Sequence, residues 1–269
     1  MTDKIREALV SAAREWLAEH GERACSESLA LDDKPVELPV RRGNTGREFR
    51  ADDEAYSEVL QWAKRESRDE LLAHSTARRF VHALKSMAMS EDGLLRCVRG
   101  RLDDGEIKDW RDMGPNPEAP GSRYNSAGIR TLYACDREIG VYRELRPKPG
   151  TRLLLQEYVV PLDVLRIAEC RSDTLPELAK CVFDAAEHCG MEGGGGLPDY
   201  LFGQVVGGLV REAGYDGMIV PDVQGDLDIQ YSNVVVFMEF EEWREWSLRG
   251  AGFRCVRVED EPAKPVGDV

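Results

Sequence analysis

At Leu94 the apolar residues of this chain change period, and that change limits what the chain can fold into. Upstream they recur every three or four positions, the spacing that lines one face of a helix; downstream they fall into short β-branched or apolar runs broken by turns and brief helical stretches. Its 269 residues suffice for one catalytic domain with a smaller helical partner. The expected organisation is a mainly helical region over 1–90, serving assembly or regulation, an α+β domain over 91–260, and a disordered tail over 261–269.

In the first region, Ile5, Ala8, Leu9, Ala12 and Trp16 predict a helix over 3–19, and residues 21–50 read as a connector. Further helices are expected at 51–65, where Tyr56, Val59, Leu60 and Ala63 share a face, and at 68–89 after Ser67. The second region predicts strands at 94–99, 130–134, 151–160, 217–220 and 233–239, and helices at 136–146, 174–188 and 199–213. Between Leu102 and Ser122 the Gly and Pro content predicts a surface loop. The tetraglycine at 193–196 lacks the Lys-Ser/Thr pair of a phosphate loop and reads as a linker before a helix opening at Pro198.

Composition narrows the function classes. The formal net charge of −14 opposes sequence-independent nucleic-acid binding, because a negative field repels polyanions. No apolar run approaches the roughly 20 residues of a membrane span, so a cytoplasmic address without membrane association is expected. Seven cysteines without CxxC spacing read as reduced, mostly buried thiols. The four scattered histidines match no zinc motif, so no metal is expected.

The densest chemistry lies in "SRYNSAGIRTLYACDREIGVYRELRPKPG", residues 122–150. Asn125, Ser126 and Gly128 suit a tight turn, with Arg123 and Tyr124 before it and a strand bearing Tyr133 after it. Glu144 falls near the last turn of the following helix, where a carboxylate opposes the dipole. Something other than helix stability is expected to keep it there.

Six pieces in order resemble the RES-domain family, named for an Arg, a Glu and a Ser and including toxins of bacterial toxin–antitoxin pairs. They are "VRGR" at 98–101, "SRYNSAG" at 122–128, "LYAC" at 132–135, "YRELRPKPG" at 142–150, "GYDGMIV" at 214–220 and "NVVVF" at 233–237. The resemblance covers about 94–240. It implies an α+β fold with a mixed β-sheet core like that of ADP-ribosyltransferases, and NAD as substrate, consumed by phosphorolysis, hydrolysis or ADP-ribosyl transfer. It further implies an antitoxin partner, with inorganic phosphate as a candidate co-substrate; the helical region outside the resemblance leaves room for an oligomer. By position, Arg99 or Arg101 matches the family arginine, Arg123 and Tyr133 match other pocket positions, and Glu144 matches the glutamate. Ser126 and Asn233 join the NAD-binding set. Asp222 stands where the serine is expected, and Ser232 is the nearest hydroxyl downstream. Three outcomes remain open there: spatial substitution by Ser232, altered chemistry at Asp222, or a decayed site.

The chemistry implied by the resemblance suits these residue types. Nicotinamide leaves from a cationic ring and needs no general acid, while positive charge develops on the ribose as in glycosidase transition states. A carboxylate such as Glu144 stabilises that charge, with Arg99 as its catalytic companion, and arginines grip the diphosphate through parallel hydrogen bonds. The alternatives are a protein ADP-ribosyltransferase using the same pocket and a non-catalytic NAD-binding module.

Overall fold

The structure is a computed structural model. It describes residues 54–87, 94–108, 110–116, 118, 121–148, 150–161, 165–170, 175–188, 200–221, 231–237, 244, 247 and 253–258. The expected helix at 3–19, the segment 21–50, the tetraglycine and Asp222 lie outside these residues.

Three helices come first: α1 (Glu54–Ala63), α2 (Arg68–Ala73) and α3 (Ser75–Lys85). The periodicity over 68–89 predicts one helix, and the structure breaks it at His74. That residue is extended (φ −64°, ψ 141°), and its ring nitrogen accepts from the Thr76 N–H to cap the new helix. Trp62 on α1 is fully buried and donates its indole N–H to the Leu71 carbonyl at 2.8 Å, so its polar edge is satisfied where its ring packs. Phe202 meets that ring edge-on at 4.9 Å.

The remaining elements are β1 (Leu94–Leu102), a 3₁₀ turn (Trp110–Met113), β2 (Thr131–Cys135), α4 (Glu138–Leu145), β3 (Arg152–Pro161), β4 (Ile167–Glu169), α5 (Glu177–His188), α6 (Leu201–Glu212), β5 (Gly217–Pro221), β6 (Ser232–Phe237) and β7 (Phe253–Arg257). They form one mixed sheet in the order β4-β5-β6-β2-β1-β3-β7, with β4 and β5 parallel and the other neighbours antiparallel. The fold is α+β, as expected. The sequence did not announce β4, three residues long, or β7, whose five residues are all half-buried or exposed. Within the expected loop after Leu102, the 3₁₀ turn buries Met113.

The sheet is nearly divided. β1 and β3 pair over nine positions, from Leu94–Pro161 to Leu102–Leu153, whereas β1 and β2 pair at one, Val98 opposite Cys135. Each half has its own helix cover on the same face. Val98, Cys135, Leu153 and Leu155 pack beneath Val141 of α4, with Tyr231 completing the cluster. Met218, Val220 and Val235 pack beneath α5 and α6, in a cluster that continues through Phe80, Phe183 and Phe202 to Trp62 and Leu71. The helices at 54–87 therefore share the core of the sheet domain. On the opposite face Cys97, Leu132, Tyr158, Ile219, Val234 and Val236 form a third cluster. Of the cysteines, Cys97, Cys135, Cys170 and Cys181 are buried free thiols and Cys255 is exposed.

Trp62→Ala is expected to cost about 3–5 kcal/mol, the usual loss for truncating a buried aromatic. Urea unfolding should keep a single transition at a lower midpoint; a separate early transition for the helices would show that they fold as an independent unit.

Candidate active site

The seam between the two helix-covered halves is where the chemistry-bearing side chains of 122–150 come together. Strand alternation puts Tyr133 on the helix-covered face of β2 together with Cys135, and their register partners Val235 and Asn233 on the same face of β6. Glu144, near the end of α4, reaches this floor. Its Oε1 accepts from the Asn233 amide at 2.8 Å and from the Tyr231 hydroxyl at 3.1 Å. The other side of Asn233 is engaged as well, its Oδ1 accepting from the Cys135 thiol at 3.3 Å.

α4 can reach the floor because two glycines let it descend. A Cβ at Gly100 would lie 2.1 Å from Val141, and one at Gly140 would lie 2.4 Å from the Tyr231 ring. Directly after α4, Arg146 takes a left-handed conformation (φ 44°), which a side chain normally avoids. An unfavourably placed carboxylate and a strained cap thus fall within three residues, a pairing typical of functional sites.

The opposite wall is the segment 121–129 laid against α6. Gly203 and Gly207 make this possible, since a Cβ would come within 2.4 Å of the Arg123 carbonyl oxygen at the first and 2.0 Å of the Tyr124 carbonyl oxygen at the second. Arg123 donates to the Glu187 carbonyl at the end of α5, where a cation suits the helix dipole, and lies over the Tyr200 ring at 5.7 Å. Gln204 holds the same segment through the Ser122 carbonyl at 3.1 Å. Ser126 accepts from Arg68 at 2.9 Å, which ties the segment to α2.

Tyr133 joins floor to wall. Its hydroxyl donates to Asn125 Oδ1 at 2.8 Å and accepts from the Tyr124 N–H at 3.0 Å. Burial pushes its phenol up to about 12, the hydrogen bond from Tyr124 offsetting part of the rise. Burial likewise holds the Tyr124 phenol well above its ordinary value.

Of the residues expected from sequence, Glu144, Tyr133, Asn233 and Arg123 share the helix-covered face, with Ser126 in the wall segment. Arg99 and Arg101 do not join them. Alternation sets both beside Cys97, on the other face of β1 from Val98 and Gly100. Arg99 spans the parting between β1 and β2 by donating to the Tyr133 carbonyl at 2.9 Å, and burial lowers its guanidinium below the ordinary value. Arg101 donates to the Asp112 carbonyl at 3.1 Å. Ser232 is buried on the face of Val234 and Val236, its backbone N–H bonded to Asp136 at 2.7 Å. Tyr231 and Tyr200 escaped the sequence reading, and Asn125 entered it as a turn residue, without its bond to Tyr133. The signal that could have exposed the wall is the pair Gly203 and Gly207, four apart in a largely apolar helix.

Among the described residues, no group of three or more His, Cys, Asp and Glu is placed to hold a metal ion, and no helix is long and apolar enough to cross a membrane.

A family model described as RES domain matches residues 94–247, more than half of the chain. Among curated proteins none matches. Among solved structures the chain is similar to one in the crystal structure of the M. tuberculosis MbcT–MbcA toxin–antitoxin complex, at 14% identity and a TM-score of 0.40, over 69% of this chain and 93% of that one.

The raised Tyr133 phenol carries a stability consequence at alkaline pH. An unfolded tyrosine ionises near 10, so above that value the unfolded state binds fewer protons and stability falls until the folded phenol ionises near 12. Thermal melts of wild type and Tyr133→Phe should agree in slope below pH 9. Between pH 10 and 12 the variant should lose stability less steeply, by about one proton, with other buried tyrosines supplying the rest. Equal slopes in that window would show that Tyr133 ionises as freely folded as unfolded.

Proposed function

The chain belongs to the RES domain family, and on that premise we propose that it is an NAD-consuming enzyme that cleaves the nicotinamide–ribose bond by phosphorolysis or hydrolysis. In this reading it acts in the cytoplasm as a toxin or defence effector restrained by an antitoxin protein. The observation that carries the reading is Glu144, an exposed carboxylate anchored through one oxygen by two neutral donors, on the same face as Tyr133 and Arg123.

Glu144 stabilises the positive charge that builds on the ribose as nicotinamide departs. Arg123 takes the diphosphate, since a guanidinium held by one of its donors keeps others for phosphate oxygens. Tyr133 and Asn233 shape the floor on which the ribose and nicotinamide rest. Arg99 and Arg101, on the other face, act by bracing β1 against β2 and against the 3₁₀ turn. By the resemblance Asp222 stands where the family serine is expected, outside the described residues, and Ser232 lies on the opposite face from Asn233. Among the described residues, those of the seam carry the reaction in this reading.

The test is nicotinamide release from NAD by the purified protein, with and without inorganic phosphate. Wild type should release nicotinamide, and Glu144→Ala should slow release by about 10²- to 10³-fold, the usual loss for a preorganised electrostatic group. Arg123→Ala should raise KM more than it lowers kcat, and Arg99→Ala should act through stability. Phosphate stimulation with a phosphorylated ADP-ribose product would specify phosphorolysis. Absence of release with ADP-ribose added to a protein partner would replace this reading by ADP-ribosyl transfer; binding of NAD without either would reduce the site to a binding module.

Expression without a restraining partner should deplete cellular NAD and stop growth, and Glu144→Ala should relieve both. Growth arrest at normal NAD would assign the toxicity to another activity.

A further inference from the structure

The strand β7 lies beyond the last residue of the family match, yet it reaches the helix that carries Glu144. Arg254 of β7 donates to Glu157 Oε1 of β3 at 2.9 Å and, through its other terminal nitrogen, to Glu138 Oε2 in the first turn of α4. Glu157 is 5% exposed and also receives Arg96 of β1, whose Nε lies 2.8 Å from Oε2. Glu138 accepts in addition from the Tyr142 hydroxyl, one turn along α4, at 3.4 Å. A continuous ionic chain therefore runs from β1 through β3 and β7 to α4.

We propose that Arg254 is a positioning residue for Glu144, fixing the first turn of α4 to the sheet so that its last turn is held over the seam. The proposal deepens the NAD-cleaving reading and rests on it for the role of Glu144.

Two observations carry it. α4 has eight residues, and Glu144 sits six residues, or about 9 Å of rise, from Glu138. A pivot at the first turn is thus transmitted to the carboxylate with little attenuation. Arg254 also joins the Glu157 carboxylate to that turn, whereas the bonds of Arg96 to Glu157 stay between β1 and β3. Arginine suits the task since its planar fork can serve two carboxylates at once, whereas a lysine is a point charge on a flexible stem.

Hydrogen exchange of the 138–145 amides and steady-state nicotinamide release would be measured for wild type, Arg254→Met, Arg254→Lys, Glu138→Gln and the double variant Arg254→Met/Glu138→Gln. Arg254→Met should speed α4 exchange while leaving strands β2 and β6 protected. It should lower kcat on the order of 10- to 100-fold, the effect of a displacement of about 1 Å, with KM within about twofold. Glu138→Gln, which leaves the buried Glu157 pairs intact, should reproduce the kcat loss. The double variant should lose no more than Arg254→Met alone, and Arg254→Lys should recover part of the loss. Unchanged α4 exchange in both single variants, losses that multiply in the double variant, or a rise in KM at constant kcat would each overturn the proposal. If Arg254→Met does not fold, Glu138→Gln decides by the same exchange and kcat criteria. If wild type releases no nicotinamide, the NAD-cleaving reading fails, and α4 exchange in Arg254→Met and Glu138→Gln still decides whether Arg254 anchors the helix.

Discussion

The single pairing of Val98 with Cys135 is the constraint on which the rest depends. A sheet fully laddered across β1 and β2 could be covered by one continuous helix layer, leaving no interruption in the core. Here the strands part after one register position, and the two halves are covered separately, by α4 on one side and by α5 and α6 on the other. Close-packed interiors leave few voids, so a place where two clusters meet without merging must be filled by something else. Tyr133 and Asn233 occupy it and Glu144 lies exposed beside them, each with a polar group turned to another polar group.

Building such a seam costs stability at several points. Tyr124 and Tyr133 bury phenols, Glu144 opposes its helix dipole, and Arg146 takes a conformation better suited to glycine. The offset comes from the apolar cluster behind α6, where Trp62, Leu71, Phe80, Phe183 and Phe202 join helices from before the family match to helices within it. Local inconsistency at a site, supported by a consistent core elsewhere, is the pattern expected where function has shaped the sequence. Arg68 on Ser126 and Arg254 on Glu138 repeat the arrangement in polar form, since each comes from outside the matched segment and grips one wall of the seam.

Much of this was legible because it is local. The turn at Asn125 to Gly128, the strand bearing Tyr133 and the helix bearing Glu144 follow from short-range chemistry, and the α+β class followed from the change of period at Leu94. The choice among arginines was not local. Arg99 and Arg123 look equally suited to a phosphate in the sequence, and only the side on which α4 lands separates them. That side is set by Gly100, whose missing side chain admits Val141. The break at His74 hid for a different reason, because the three-and-four spacing continues through it and only the cap reveals the new start. β7 offered too little apolar patterning to be separated from the tail.

The two glutamates of this region show how the fold assigns different work to one side-chain type. Glu157 is buried and meets two arginines, so its charge is spent within the protein and holds strands together. Glu144 is exposed and meets an amide and a hydroxyl, which fix its geometry without supplying a countercharge. Among the described residues both of those bonds fall on Oε1, so the second oxygen is directed without being consumed. A lysine or arginine in place of Tyr231 or Asn233 would orient the carboxylate equally well, but would cancel the negative potential that a developing ribosyl cation requires. Under the proposed NAD-cleaving reading, neutral donors are therefore the partners this position calls for, and that reading assigns the reaction to Glu144 rather than to the more heavily bonded Glu157.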